Sequence, residues 1–292
     1  MRTELESQPE SWARVAAMTA EFDLLPRAGS RVAVVGCGTS WFMAQSVAAL
    51  RESAGAGVTD AFAASEASLV PRGYDAVIAL TRSGTTTEVL ELLTDLRGRI
   101  PTVLIVGDDT SEAVNLADRV IAFPFADEQS VVQTRFATTA VAFVRAALGE
   151  DLTGPIEDAR NAIKTPLDSD LVTAEQYSFL GRGWTVGLAH EAALKMREAS
   201  QCWTESYSSM EYRHGPISIA SEGRVVWNFG PLEPGLAEEV RRTGARLETT
   251  RLDPLADLVR VHRVALRRSE DRGLDADNPR NLTRSVILET RP

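Results

Sequence analysis

Apolar runs of strand length alternate along this chain with longer segments whose apolar positions recur at helical spacing. RVAVVG at 31–36 ends in a glycine-rich turn, GCGTS, and WFMAQSVAALRES follows with helical character. VTDAFAA at 58–64 reads as a second strand, and YDAVIALTRSGTTTEVLELLTDL at 74–96 repeats the order strand, turn, helix. PTVLIVG at 101–107 and ADRVIAF at 117–123 are two further strands. In 133–148, Phe136, Ala140, Val141, Val144 and Leu148 mark an amphipathic helix, and Trp12, Val15, Ala16, Thr19 and Phe22 predict a leading helix across 10–22. Apolar strands without strict alternation, joined by helices of roughly ten residues, predict a parallel sheet covered on both faces.

The second half repeats this order less clearly. YSFLGRG at 177–183 is a strand entering a glycine turn, 184–200 is a helix, and GRVVWNF at 223–229 is a strand. Residues 235–250 read as helix, turn and short strand, 253–273 as one long helix, and RNLTRSVILE at 280–289 as coil with a strand-like tail. The turn at Gly36–Gly38 is echoed at Gly181–Gly183, so the halves look like a degenerate repeat. GEDLTGP at 149–155, with two glycines and a proline, marks a boundary. The expected division is a helical segment 1–24, a first unit 25–150 and a second unit 151–292.

A length of 292 residues suits two modest cores. Three histidines and two cysteines, Cys37 and Cys202, provide no disulfide framework and nearly exclude a Cys/His zinc site. Acidic residues open the chain with no signal-peptide core after them, and no apolar run approaches the ~20 residues of a membrane span, so a cytoplasmic location is expected. The formal net charge of -10, with no run of four Lys or Arg, argues against nucleic acid or anionic lipid as partner. A small anion held in a locally positive pocket remains compatible with that charge.

Two turns suit such an anion. Glycines in GCGTS let the backbone turn with its amides uncovered, and a helix beginning at Ser40 adds unpaired amides and a positive dipole end. In LTRSGTTTE, Thr81, Ser83, Thr85, Thr86 and Thr87 crowd around Gly84 at a second helix start. Each turn alone is equally an ordinary capped strand end. Two of them after strands of one sheet favour a ligand, because ligands bind at the carboxyl ends of parallel strands. Neither turn matches G-x-G-x-x-G, and no G-K-[ST] occurs, which disfavours a nucleotide. On 188–200, Glu191, Lys195 and Glu198 share one helical face opposite Ala189, Ala192, Ala193 and Met196. That stripe is either a solvated face with weak ion pairs or a carboxylate set beside an ammonium for proton transfer. His214, beside Gly215 and Pro216, carries the one side chain with an ordinary pKa near neutrality, and it is as readily structural as functional. Trp203, Tyr207 and Tyr212 are either core or a platform for a sugar ring.

Taken together, these blocks resemble the sugar isomerase (SIS) family. The likeness is to the two-SIS-domain isomerase half of glutamine–fructose-6-phosphate aminotransferase and its stand-alone deaminase/isomerase and deglycase relatives. It runs from about residue 30 to the end and rests on G-C-G-T-S at 36–40, S-G-T-T at 83–86, L-G-R-G at 180–183, E-A-A-L-K-M-R-E at 191–198, E-S-Y at 205–207, R-H-G-P at 213–216 and D-N-P-R-N-L-T-R-S-V at 277–286. The resemblance implies an α/β protein of two SIS subdomains, each a mostly parallel sheet between helices in a three-layer, flavodoxin-like or Rossmann-like arrangement. It implies an isomerase or deaminase acting on an amino-sugar 6-phosphate, with no metal or organic cofactor. A fructosamine-6-phosphate deglycase and a non-catalytic sugar-phosphate sensor are the alternatives.

Carried over by position, the resemblance assigns the phosphate to Ser40, Ser83 and Thr86, with Thr39, Thr81 and Arg82 alongside and Val131, Gln133 and Arg284 in the same site. Glu198 matches the carboxylate that moves the proton between C1 and C2, Glu191 and Lys195 share its pocket, and His214 matches a ring-opening histidine that reaches across a homodimer boundary. Three departures are visible. Neither the N-terminal nucleophilic cysteine nor the glutaminase domain of the aminotransferases is found, so glutamine is not expected to serve as ammonia donor within this chain. Arg284 stands where they carry an imine-forming lysine, and arginine is essentially never neutral. The stretch from Gly230 to Asp277 is shorter, so the second unit is expected to lack a strand or surface loops.

Overall fold

In this computed structural model, which describes residues 1–288, the chain opens with α1 (Arg2–Glu6) and α2 (Gln8–Ala16). The leading helix thus stops short of Phe22, which sits in a 3₁₀ turn, Glu21–Leu24, and meets Phe143 edge to face at 5.2 Å. The first unit follows as β1 (Val32–Gly36), α3 (Thr39–Ser53), β2 (Thr59–Ala63), β3 (Ala76–Thr81), α4 (Thr87–Leu96), β4 (Thr102–Val106), β5 (Arg119–Ala122) and α5 (Arg135–Ala147). Its five strands pair in parallel in the order β2-β1-β3-β4-β5, with Val34 opposite both Ala61 and Ile78. Because successive side chains leave opposite faces of a strand, Val32 and Val34 enter one core while Ala33 and Val35 enter another.

The second unit comprises α6 (Thr153–Lys164), α7 (Ser169–Thr173), β6 (Gln176–Gly181), α8 (Thr185–Ser200), β7 (Trp203–Ser208), β8 (Arg224–Asn228), α9 (Leu236–Thr243), β9 (Arg246–Glu248) and α10 (Pro254–Asp271). Its strands are also parallel, in the order β7-β6-β8-β9, the same winding as the first four strands of the other sheet. Four elements were not read from the sequence: α1, α6, α7 and β7. Helix α6 begins inside the expected breaker, since the first turn has no intrahelical partner for its N–H groups and so tolerates Pro155. Strand β7 carries the polar sequence WTESYS at a sheet edge, where no apolar pattern announces it. The tail after α10 has no regular structure up to residue 288, and the remainder of the predicted strand-like end lies outside the described residues.

One continuous apolar cluster joins the inner faces of both sheets, from Val34, Ile78 and Ile105 to Phe179 and Trp227, through α3, α5, α8 and α10. The outer face of the first sheet packs on α4 through Val89, Leu93 and Leu96, and that of the second on α9 through Leu236 and Val240. Helices therefore cover both faces of both sheets, and the middle helical layer is shared between them. No helix among the described residues is long and apolar enough to cross a membrane.

Candidate active site

The strand order reverses direction between β1 and β3, and in open parallel sheets the crevice at such a switch point is where ligands bind. The two serine- and threonine-rich turns leave the carboxyl ends of those two strands. Their glycines are needed: a Cβ on Gly36 would lie 2.6 Å from the Ser40 carbonyl carbon, and one on Gly84, whose φ is +63°, would lie 1.9 Å from Ser111 Oγ. Thr39, Ser40, Thr81, Arg82 and Ser83 are all buried here. Part of the second turn is held internally, with the Gly84 amide donating to Thr81 Oγ1 at 3.2 Å and the Thr85 amide to Ser83 Oγ at 3.3 Å.

Helix α8 reaches this crevice from the other sheet because Gly187 lets it cross α3 closely. A Cβ at Gly187 would stand 2.3 Å from both Phe42 O and Ser46 Oγ. The crossing turns the Glu191–Lys195–Glu198 stripe inward, so it is not a solvated face. Glu191 and Lys195 are fully buried, while the Glu198 side chain keeps 18% of its surface exposed. Lys195 Nζ lies 3.6 Å from Glu191 Oε1 and forms a close ion pair with Glu198 Oε2. Burial pushes the Glu191 carboxyl up to about 8, partly opposed by Lys195, and neither of its oxygens has a hydrogen-bond partner among the described residues. Burial alone would lower Lys195, but the facing carboxylates outweigh it and hold the ammonium above its usual range.

The fourth wall comes from residues 127–134 and the chain's tail. Buried Glu128 caps α5 from outside the helix, accepting from the amides of Thr134 at 2.7 Å, Arg135 at 2.8 Å and Phe136 at 3.2 Å. Arg82 lies at the crevice with its terminal nitrogens taken up, Nη1 donating to the carbonyls of Ser130 at 2.8 Å and Val131 at 3.3 Å and Nη2 to that of Arg284 at 2.7 Å, while its buried Nε has no partner among the described residues. Arg284 in turn makes a two-pronged pair with Asp127 at 2.6 and 2.8 Å and donates to the Glu128 carbonyl. The strap is fastened further along, where Ser285 Oγ meets Thr85 Oγ1 at 2.9 Å and the Val286 carbonyl accepts from the Thr87 amide at 3.2 Å.

These parts enclose a cavity of about 190 Å³. Thr39, Ser40, Thr81, Arg82, Ser83, Thr86, Val131, Gln133, Lys195, Glu198 and Arg284 line it together, and Glu191 stands directly behind Lys195. The Gln133 amide nitrogen is buried with no partner among the described residues. His214 is elsewhere: it ends a 3₁₀ turn at Glu211–His214, is exposed, and does not line this cavity. Tyr212 is core and Trp203 is 85% exposed, so neither forms a platform here. Cys37, Leu282, Thr283, Ser285 and Val286 line the cavity as well, and Asp127 and Glu128 brace it. The tail motif at 277–286 was the sequence signal for Leu282, Thr283, Ser285 and Val286 and the GCGTS turn that for Cys37, while Asp127 and Glu128 had none. Asp127 meets a partner 157 positions away, which no local spacing reveals.

Residues 24–148 match the SIS domain family. The chain is 30% identical over 353 residues to glutamine–fructose-6-phosphate aminotransferase [isomerizing] of Aeropyrum pernix, covering 99% of this chain and 57% of that protein. To the enzyme of the same name from Methanothermobacter thermautotrophicus it is 27% identical over 305 residues, covering 89% of this chain and 52% of that one. The chain thus spans a little over half the length of these curated relatives. Among solved structures, glucosamine-6-phosphate deaminase from Thermotoga maritima superposes with a TM-score of 0.82 at 23% identity, covering 98% of this chain and 99% of that one. Tagatose-6-phosphate ketose/aldose isomerase from Escherichia coli gives 0.79 at 19% identity, covering 99% and 95%. At these identities the structural matches establish a shared fold.

Proposed function

Because this chain is a two-lobed SIS-like protein with a SIS domain in its first lobe, we propose that it isomerises or deaminates an amino-sugar 6-phosphate. One observation carries the reading: a partly exposed carboxylate paired with a buried ammonium opens onto the same small cavity as two hydroxyl-rich glycine turns. The hydroxyls of Ser40, Ser83 and Thr86 hold the phosphate, and the start of α3 contributes its dipole. This fixes the far end of the sugar and brings C1 and C2 of the open chain to Glu198. Glu198 removes the proton from C2 and returns it to C1, turning the 2-amino aldose into a ketimine. Water adds at C2 and ammonia leaves, giving the ketose 6-phosphate; with a hydroxyl at C2 the same transfer is an aldose–ketose isomerisation. Lys195 presents positive charge to the oxygen that gains electrons as the proton moves. Arg284 faces the cavity from its pair with Asp127, an arrangement that suits holding the tail and not covalent attack on a keto sugar.

The test is an assay of pure protein for ammonia release and aldose–ketose interconversion over hexosamine and hexose 6-phosphates, with fructosamine 6-phosphates in the same panel. Exchange of solvent deuterium into C1 accompanies turnover if Glu198 shuttles the proton. Cleavage confined to the fructosamine 6-phosphates would make the protein a deglycase. Tight binding without any turnover would make it a sensor.

A further inference from the structure

Helix α3 begins in the candidate active site at Thr39 and Ser40, and its last turn, some 20 Å away, carries Arg51. Arg51 is only 3% exposed, yet no carboxylate lies within ion-pair distance of it among the described residues. Its Nε donates to Thr59 Oγ1 at 3.3 Å and its Nη2 to the Ala56 carbonyl at 3.1 Å, both neutral acceptors. Burial pushes the guanidinium down, and no negative group opposes that shift. The carbonyl end of α3 offsets part of the charge. Holding the turn does not explain Arg51, because three other bonds already fix it: Ala56 N to Arg51 O at 2.8 Å, Gly29 N to Ala56 O at 3.0 Å, and Thr59 N to Glu52 Oε1 at 3.1 Å.

Beside Arg51 opens a second cavity, about 140 Å³, walled by Phe22, Leu25, Ile78, Val144 and Leu148. It pairs one cationic fork with hydrocarbon. We propose that this cavity is a binding site for a short-chain monocarboxylate, its carboxylate on Arg51 and its hydrocarbon among the apolar walls. A planar carboxylate matches the guanidinium fork and supplies the missing charge. A sugar, or a phosphate with its third oxygen, would leave polar atoms against the apolar side chains that make up most of the wall. The size fits a chain of about four to six carbons, since an apolar cavity of roughly 150 Å³ accommodates benzene.

The probe is isovalerate, with isoamyl alcohol as its neutral counterpart and inorganic phosphate as a control, read by the thermal unfolding midpoint and by calorimetric titration. Isovalerate is expected to raise the midpoint saturably while the alcohol does not, and inorganic phosphate, which the active-site turns would take, should not compete with isovalerate in the titration. Arg51→Met should weaken isovalerate about tenfold or more, the scale of a lost charged hydrogen bond. Should that variant fail to fold, Ala147→Leu, which fills the cavity and keeps Arg51, is expected to abolish the shift. Glucose 6-phosphate should not displace isovalerate, because the two sites lie at opposite ends of α3. Absence of a saturable shift, an undiminished shift in Ala147→Leu, or displacement by glucose 6-phosphate would each overturn the site.

Discussion

At the scale of single residues, the site turns on three ionisable groups set on one buried helix face. Glu198→Gln keeps the shape and removes the base. It should lower kcat by about 10²–10⁴-fold, the usual range for a general base, while phosphorylated sugar binds within a few-fold of wild type. Unchanged kcat would mean the proton moves through another group. Glu191 makes a separate prediction from its pKa of about 8 against an ordinary 4.5. Between those values the folded protein keeps a proton that the unfolded chain has lost, so this group makes stability fall as pH rises through that window. Glu191→Gln cannot ionise and leaves Lys195 its partner Glu198. The variant should therefore gain on wild type by about 1 kcal/mol or more in going from pH 5 to pH 8, measured by urea unfolding. Parallel stability profiles would show that Glu191 is charged in the fold. The spacing of Glu191, Lys195 and Glu198 was legible in the sequence, but their burial was not. A polar stripe looks the same whether its face meets water or another helix, and here Gly187 decides by letting α3 approach.

At the scale of elements, strands and helices were legible wherever apolar runs had a clear period, as in β1, β3, β4, α8 and α10. Strand β7 was hidden because an edge strand needs no apolar face, and α6 because Pro155 reads as a breaker unless it falls in a first turn. The tail strap was legible only as a motif, since its role depends on Asp127 and Thr85 far away in sequence. Asp127→Ala removes the two-pronged bond to Arg284 and should loosen 282–286 without unfolding the sheets. The expected signs are faster hydrogen exchange confined to that segment and a raised KM; unchanged exchange would show that the Arg82 and Ser285 contacts suffice. Helix α10 is tied to α2 by His262, whose Nδ1 lies 3.3 Å from Gln8 Nε2. Burial, reinforced by Lys195, pushes its imidazole down to about 3 from an ordinary 6.5. Below pH 6.5 the unfolded chain takes up a proton that the folded protein refuses, so this group makes stability fall with acid down to about pH 3. His262→Gln should lessen the loss of stability between pH 6.5 and pH 4, which opposes the Glu191 effect where the two overlap. Equal acid sensitivity in the variant would place a proton on His262 in the native state.

At the scale of the whole molecule, the two lobes share a core but leave one surface unaccounted for. Strand β7 is an open edge of the second sheet, and Trp203 at its start is 85% exposed. Exposed edges invite pairing and are normally covered. His214 follows β7 on this same lobe, exposed and away from the cavity that holds Glu198. A two-fold homodimer that brings His214 to its partner's cavity would give this histidine a role that its own chain does not offer. The shared-site arrangement has a direct test by subunit mixing. Variants His214→Ala and Glu198→Gln should each be inactive alone. After unfolding and refolding together, about half of the dimers are mixed, and each mixed dimer carries one site with both residues intact and one with neither. Recovered activity should therefore approach about a quarter of wild type per total protein. Mass measurement of the refolded sample must show that mixed dimers formed. If they form and no activity returns, His214 serves its own subunit or none, and the shared site is wrong.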